Sequence, residues 1–263
     1  MSGESKKQRV RTFSRNTALV LAALALWHSA SLYQSPVILP GPWSTLRSLA
    51  DFLRDGSFYR ELAASLYRLL CGIGLSTLIG LLFGLLMGVS RTLESLLKPL
   101  VYGLQNIPPI IYMTLAMIWF GLNSRATIFI ITIVSFPVFA VSIHEGFSEI
   151  DHRLIEMAGV FQFPRRKVLG TIILPSLSGY IKSGFIIMLG FSWKLLIMGE
   201  VLSAGTGIGA QLTDARMNLQ TEKVFSLGII IMVLCSLSQK TAELLNKPER
   251  RKKQRRQNAH QSQ

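Results

Sequence analysis

The chain has 263 residues, of which 49% are hydrophobic and only 16% charged, and its formal net charge is +14. An average soluble domain carries about 25% charged residues. With a mean hydropathy of +0.40, these values exclude a disordered or fibrous protein and argue against a water-soluble enzyme of ordinary composition. The two cysteines, Cys71 and Cys235, both lie inside apolar runs, which excludes a disulfide framework and a cysteine metal site. The positive charge is concentrated at the ends. Residues 1–16 carry Lys6, Lys7, Arg9, Arg11 and Arg15, and residues 246–263 carry Lys247, Arg250, Arg251, Lys252, Lys253, Arg255 and Arg256. Only Glu4 and Glu249 offset them, so the tails hold +10 of the net charge. Basic flanks on an apolar body fit a membrane protein whose tails lie against anionic lipid, and not a nucleic-acid binder.

A membrane helix needs about 20 mostly apolar residues. Six stretches qualify, at about 17–33, 65–88, 99–121, 126–143, 180–202 and 224–243. The first is read as a retained span and not as a cleaved signal peptide. After it, Pro40 and Pro42 break the chain, and Leu46, Leu49 and Leu53 recur at helical spacing with Arg47, Asp51 and Arg54 on the other side. That pattern predicts a short amphipathic helix, either at the outer membrane surface or packed on the bundle. In the second span Gly80, Gly84 and Gly88 form a small-residue face for close helix contact. The third carries no charge from Pro99 to Ser124 and contains Pro108 and Pro109; the fourth contains Pro137; the fifth contains Lys194 and Glu200.

An even number of spans puts both termini on one side. On that side Lys and Arg number 19, against 6 on the other, which predicts cytoplasmic termini. The expected architecture is all-α: a polytopic bundle of six transmembrane helices over 17–245, with basic cytoplasmic tails at 1–16 and 246–263. Its largest cytoplasmic loop spans about 145–178. There Asp151 is placed to cap a short helix, Gly159 and the pair Phe163-Pro164 to break it, and a second short helix to run over 165–173 before Pro175 opens the fifth span. Met157, Val160 and Phe161 on such a loop suggest a docking surface.

No phosphate-binding G-x-x-x-x-G-K-[ST], zinc H-E-x-x-H or hydrolytic triad signature occurs, so no catalytic or metal-binding residue is expected. His28, His144, His152 and His260 are scattered. The run Gly205-Thr206-Gly207-Ile208-Gly209-Ala210 fits a loose dinucleotide pattern, but it follows a membrane span and not a strand, and reads as a tight turn.

Several pieces occur in the order of a known family. Ser65-x-x-Arg68 with Gly72 comes first, then Ile107-Pro108-Pro109 and Trp119-Phe120-Gly121. Glu156-Met157-Ala158 follows, sixteen residues before Leu174-Pro175. Trp193-Lys194 with Glu200, and Gly207-Ile208-Gly209, complete the series. Over about 35–245 the chain resembles the permeases of ABC importers, in the branch that imports sulfonates, taurine, nitrate and thiamine precursors. The resemblance implies a transport subunit that is not itself an enzyme and binds no cofactor, ATP being hydrolysed on a separate ATPase chain. It implies a dimer of ATPase subunits, a second permease copy and an extracytoplasmic solute-binding protein as partners, within the cell (inner) membrane. It implies that Glu156, Met157, Ala158, Gly159, Gln162, Leu174 and Pro175 belong to the ATPase-coupling loop. The family places glycine six residues after the glutamate, where this chain has Gln162; Gly159 is expected to supply the break one helical turn earlier. Met157 replaces the usual alanine.

Asn106, Pro108, Pro109, Trp193, Lys194 and Glu200 are the candidates for the translocation pathway. Prolines at membrane depth leave backbone carbonyls that only protein, hydroxyls or water can satisfy, though a packed kink serves equally. Lys194 has two readings, an anion-attracting pathway residue or a structural cation that pairs with an acid on another span or snorkels to a surface. Glu200 is a poor direct partner, about 240° away round a regular helix. A secondary transporter or channel without an ATPase partner is the alternative function.

Overall fold

The structure, a computed structural model, describes the backbone of residues 2–203 and 205–260, and side chains over 17–151, 153–164, 166–203 and 205–244. The charged side chains of both tails lie outside the latter set. Among the described residues every regular element is helical: α1 Ser2–Tyr33, α2 Pro42–Arg54, α3 Gly56–Val89, α4 Arg91–Asn106, α5 Pro109–Phe120, α6 Ser124–Ser148, α7 His152–Val160, α8 Arg165–Val168, a π-helical turn Leu169–Ile173, α9 Leu174–Ser203, α10 Ile208–Met217 and α11 Thr221–His260. Among the described residues four segments are long and apolar enough to cross a membrane: Gly56–Val89, Ser124–Ser148, Arg166–Ser203 and Thr221–Leu244. Two of the six apolar stretches correspond to shorter apolar helices, Thr17–Tyr33 and Pro109–Phe120.

The third stretch is not one helix. Asn106 ends α4, and Ile107 and Pro108 are extended, with ψ of 128° and 133°. A residue before proline is pushed out of the helical region. Pro108 also lacks the N–H that the Leu104 carbonyl would otherwise accept. The Tyr112 hydroxyl donates to that carbonyl instead, at 2.8 Å, and Pro109 starts α5 at the first helical position, where proline is tolerated.

The chain divides into two compact units, Met1–Tyr59 with Gln211–Ile231, and Arg60–Ala210 with Met232–Gln263. In the first, the Trp27 indole donates to the Pro40 carbonyl at 3.0 Å and stacks on Phe225. The Ser226 hydroxyl donates to the Thr45 carbonyl at 2.8 Å. The expected amphipathic helix is α2. It buries Thr45 and Ser48 and exposes Trp43, Leu46 and Leu53.

In the second unit α6 is central. Gly72, Gly80, Gly84 and Gly88 on α3 meet it closely: a Cβ at Gly84 would stand 2.7 Å from Ile143 Cβ and 2.9 Å from the Ala140 carbonyl. The small-residue face predicted for the second span is thus a packing face. On its other side α6 packs along α9, where Gly184 lies against Ser142 and Gly199 against Thr127. Ile130, Ile131, Phe139, Ile143, Met188 and Leu196 are nearly sealed between these helices. Burying such side chains contributes roughly 1.5–3 kcal/mol each relative to water.

Candidate functional site

The loop following α6 is built as expected at its start. The Asp151 carboxylate accepts from the Arg153 N–H at 2.9 Å and caps α7. Its end differs from expectation. Gly159 lies inside α7, which runs on to Val160. The break falls at Gln162, whose φ is +51°. The Gln162 N–H donates to the Gly159 carbonyl at 3.0 Å, and the Phe163 N–H to the Ala158 carbonyl at 2.9 Å. This is a Schellman C-cap, in which glycine is the usual residue at the left-handed position. Gln162, and not Gly159, therefore supplies the left-handed residue that ends the helix. Ala158 is 2% exposed and packs with Ile150 and Ile172, while Phe163 closes the same cluster. Lys167 Nζ sits 4.1 Å from the Phe163 ring centroid.

Pro175 does not open a separate span. The chain is helical from Arg165 through Ser203, and the π-helical turn Leu169–Ile173 lies just before Pro175. A proline cannot donate to the carbonyl four residues back, and its ring crowds that carbonyl. Widening the preceding turn removes the conflict; the Leu174 N–H donates to the Leu169 carbonyl, five residues back. Leu174 and Pro175 are exposed, as are Glu156, Met157, Val160 and Phe161. Glu156 makes no ion pair among the described residues. The loop therefore presents a short rigid helix with a carboxylate beside an apolar patch.

Close to the start of this loop, His144 on α6 is 5% exposed and its Nε2 lies 3.3 Å from Glu94 of α4. The hydrogen bond from Lys98 holds the Glu94 carboxyl below its usual range, with smaller contributions from His144, Lys98 and Arg91 charge.

At the other end of α9, Glu200 is fully buried. Its carboxylate accepts from the Ser65 hydroxyl at 2.8 Å, the Gly209 N–H at 2.9 Å and the Arg68 guanidinium. Arg68, 3% exposed, also donates from Nε to Ser124 Oγ at 2.9 Å and from NH1 to the Thr206 carbonyl at 2.8 Å. One guanidinium thereby ties α3, the start of α6, the end of α9 and the following turn. Glu61 accepts from the Gly207 N–H. Gly207 has a φ of +106°, and a Cβ there would strike the Glu200 carboxylate and stand 2.6 Å from Arg68 NH1. The glycine run is thus a turn fitted over an ion pair.

The other pathway candidates are dispersed. Trp193 is 2% exposed and donates from its indole to Ser238 Oγ at 2.9 Å, so it holds α11 and does not stand beside Lys194. Asn106 and Pro108 are exposed and Pro109 is half-buried. No hydrogen bond or ion pair among the described residues joins these three to Lys194. Lys194 is exposed on α9, with its Nζ 5.5 Å from the Phe191 ring centroid. No described carboxylate lies within ion-pair distance of it. Arg68 appears in the sequence only as part of a spacing, and the roles of Glu61, Ser124 and Thr206 carry no local signal at all.

Several helices long and apolar enough to cross a membrane, closely packed and carrying an exposed two-helix loop, fit a polytopic membrane protein. Residues 76–250 match the family of binding-protein-dependent transport system inner membrane components, and the chain belongs to that family. A taurine transport system permease protein of Escherichia coli is 30% identical over 230 residues, covering 85% of this chain and 82% of the relative. An Escherichia coli permease protein named for aliphatic sulfonates is 32% identical over 232 residues, covering 87% and 88%. A bicarbonate transport system permease protein of Synechococcus elongatus is 31% identical over 208 residues, covering 74% of each. These relatives bear out the resemblance to the sulfonate, taurine and nitrate branch of ABC-importer permeases. The fold is similar to the inward-facing MetNI methionine ABC transporter, with a TM-score of 0.62, 20% identity, and 72% of this chain and 94% of that one covered. A bacterial alginate ABC transporter in complex with a periplasmic protein gives 0.58, 15%, 91% and 96%.

Proposed function

We propose that this chain forms the membrane pathway of an ATP-driven importer for a small nutrient solute of the sulfonate, taurine, nitrate or thiamine-precursor kind. In this reading it crosses the inner membrane six times, the four long apolar segments being joined by Thr17–Tyr33 and by α4–α5, and both termini are cytoplasmic. It works as two permease copies, receives solute from an extracytoplasmic binding protein and docks a separate ATPase dimer. The observation that carries the ATPase coupling is the loop over 151–175. Its helix α7 is capped at both ends and packs through Ala158 against Ile150 and Ile172, so force applied to it is passed on to its neighbours and not lost in a slack connection. Its outer face offers Glu156 beside Met157, Val160 and Phe161, a charge and an apolar patch for a groove. Closure of the ATPase dimer then biases the bundle between outward-open and inward-open arrangements.

Glu156→Ala tests the coupling. The variant inserts normally, because Glu156 contributes no described internal contact. It is expected to weaken ATPase association on the order of tenfold, the equivalent of one lost interfacial contact of about 1.4 kcal/mol, and to reduce uptake in parallel. Wild-type association and uptake would show that ATPase docking lies elsewhere.

A further inference from the structure

We propose that the cleft between α2 and the start of α11 binds the headgroup of an aminophospholipid, a phosphodiester that carries a primary ammonium. The inference goes beyond the importer reading and needs only that α11 crosses the membrane. The cleft encloses about 510 Å³, within the roughly 300–1,000 Å³ of ligand sites. Both of its walls belong to one compact unit, and the hydrogen bond from Ser226 to the Thr45 carbonyl ties them together. Arg47, Ser48 and Asp51 line it from α2, Asp55 from the C-cap of that helix, and Glu222 and Lys223 from α11.

Two cations and three carboxylates thus surround one space. Arg47, Asp51, Glu222 and Lys223 form no ion pair among the described residues. Asp55 accepts from the Ser57 N–H at 2.9 Å and from the Ser57 hydroxyl at 2.6 Å. Helix stabilisation does not account for the pattern. Lys223 lies in the first turn of α11 and Asp51 in the last turn of α2, each at the end where the macrodipole disfavours its sign. Ser48, which lines the same cleft, is 8% exposed, and its hydroxyl has no hydrogen-bond partner among the described residues. Folded proteins avoid such a group unless a ligand or water completes it.

A ligand of one sign meets repulsion as well as attraction in this cleft. A zwitterion satisfies both sets of charges. Its phosphate oxygens accept from Arg47, Lys223 and the Ser48 hydroxyl, and its ammonium donates to Asp51 and Glu222. A quaternary ammonium has no N–H to donate. Position selects lipid as the source. The segment Thr221–Leu244 is long and apolar enough to cross a membrane, so Glu222 and Lys223 stand at its interface end. Helix α2 exposes Trp43, Leu46 and Leu53, the side chains of a helix resting in that interface. The cleft therefore lies at the level of the headgroups.

The test uses the full chain, purified in detergent and stripped of lipid. It is titrated with phosphatidylethanolamine, phosphatidylcholine and phosphatidylglycerol of the same acyl chains, and bound lipid is read by native mass spectrometry. One phosphatidylethanolamine per chain should bind about tenfold more tightly than either of the others, the scale of one hydrogen bond to a charged group. Asp51→Asn/Glu222→Gln should bring its ratio to phosphatidylcholine close to one. Asp51→Asn alone, at an exposed position, should lower the ratio in part. Arg47→Gln/Lys223→Gln should weaken both zwitterionic lipids alike. A ratio near one in the unaltered chain, a ratio that survives in both Asp51 variants, or a preference for phosphatidylglycerol would overturn the proposal. So would displacement of the lipid by water-soluble glycerophosphoethanolamine at equal concentration, which would make a free zwitterion the occupant. No ATPase enters the readout, so the outcome is independent of the importer reading.

Discussion

Removing the Glu200 carboxylate leaves a specific defect. In Glu200→Ala the Arg68 guanidinium keeps Ser124 and Thr206 as partners but loses its only described counter-charge, at 3% exposure. The Ser65 hydroxyl and the Gly209 N–H lose an acceptor as well. Breaking one side of a buried ion pair costs about 3–5 kcal/mol, because an uncompensated charge remains. For a domain of this size about 2–4 °C of melting temperature corresponds to each kcal/mol, so thermal unfolding in detergent should fall by about 6–20 °C. Arg68→Gln should cost a similar amount. The double variant Glu200→Ala/Arg68→Gln should be less destabilised than the sum of the singles, by about 1–3 kcal/mol, since no charge is then stranded. Singles that shift melting by less than about 2 °C, or strictly additive effects, would refute the claim that this pair organises the end of α9.

Two further outcomes follow from the loop and from the charge pattern. Gln162→Gly relieves a left-handed non-glycine residue, which costs roughly 1–2 kcal/mol, but adds chain freedom to the unfolded state; the net gain of about 0.5–1 kcal/mol should slow hydrogen exchange at the Phe163 amide about two- to fivefold, whereas Gln162→Val should speed it. In a chain with Cys71 and Cys235 replaced by serine, an impermeant thiol reagent added outside should label Ser44→Cys and Asn218→Cys, both exposed positions, and should not label Gln162→Cys or Asn258→Cys.

Local features of the fold were legible because local chemistry sets them. Asp151 caps α7 as its position suggests, and the four-residue glycine spacing of α3 marks its packing against α6; the stretch over 99–121 reads in sequence as one span, whereas Pro108 divides it into α4 and α5. Three features were not legible, each for a physical reason. Gln162 gives no sign of its left-handed backbone, because a Schellman cap is defined by two main-chain hydrogen bonds and not by its side chain; Gly159, the residue chemically suited to a break, stays helical. The π-helical turn before Pro175 depends on a crowded carbonyl that a helix can accommodate either by ending or by widening. Arg68 and Glu200 are separated by 132 positions, and nothing in either segment alone announces the other. The same pairing occupies the Glu200 carboxylate, and no described carboxylate lies within ion-pair distance of Lys194.

The central claim is that the 151–175 loop receives a separate ATP-hydrolysing subunit. The direct measurement is photocrosslinking from a benzophenone residue placed at Val160, which is 81% exposed, in the intact chain within its native membrane. The crosslinked partner should be a single cytoplasmic ATP-binding protein that hydrolyses ATP in the purified complex, and the crosslink should weaken in Glu156→Ala. Crosslinks confined to lipid or to another copy of the chain, with solute uptake continuing on an ion gradient alone, would contradict the account and favour a transporter without an ATPase.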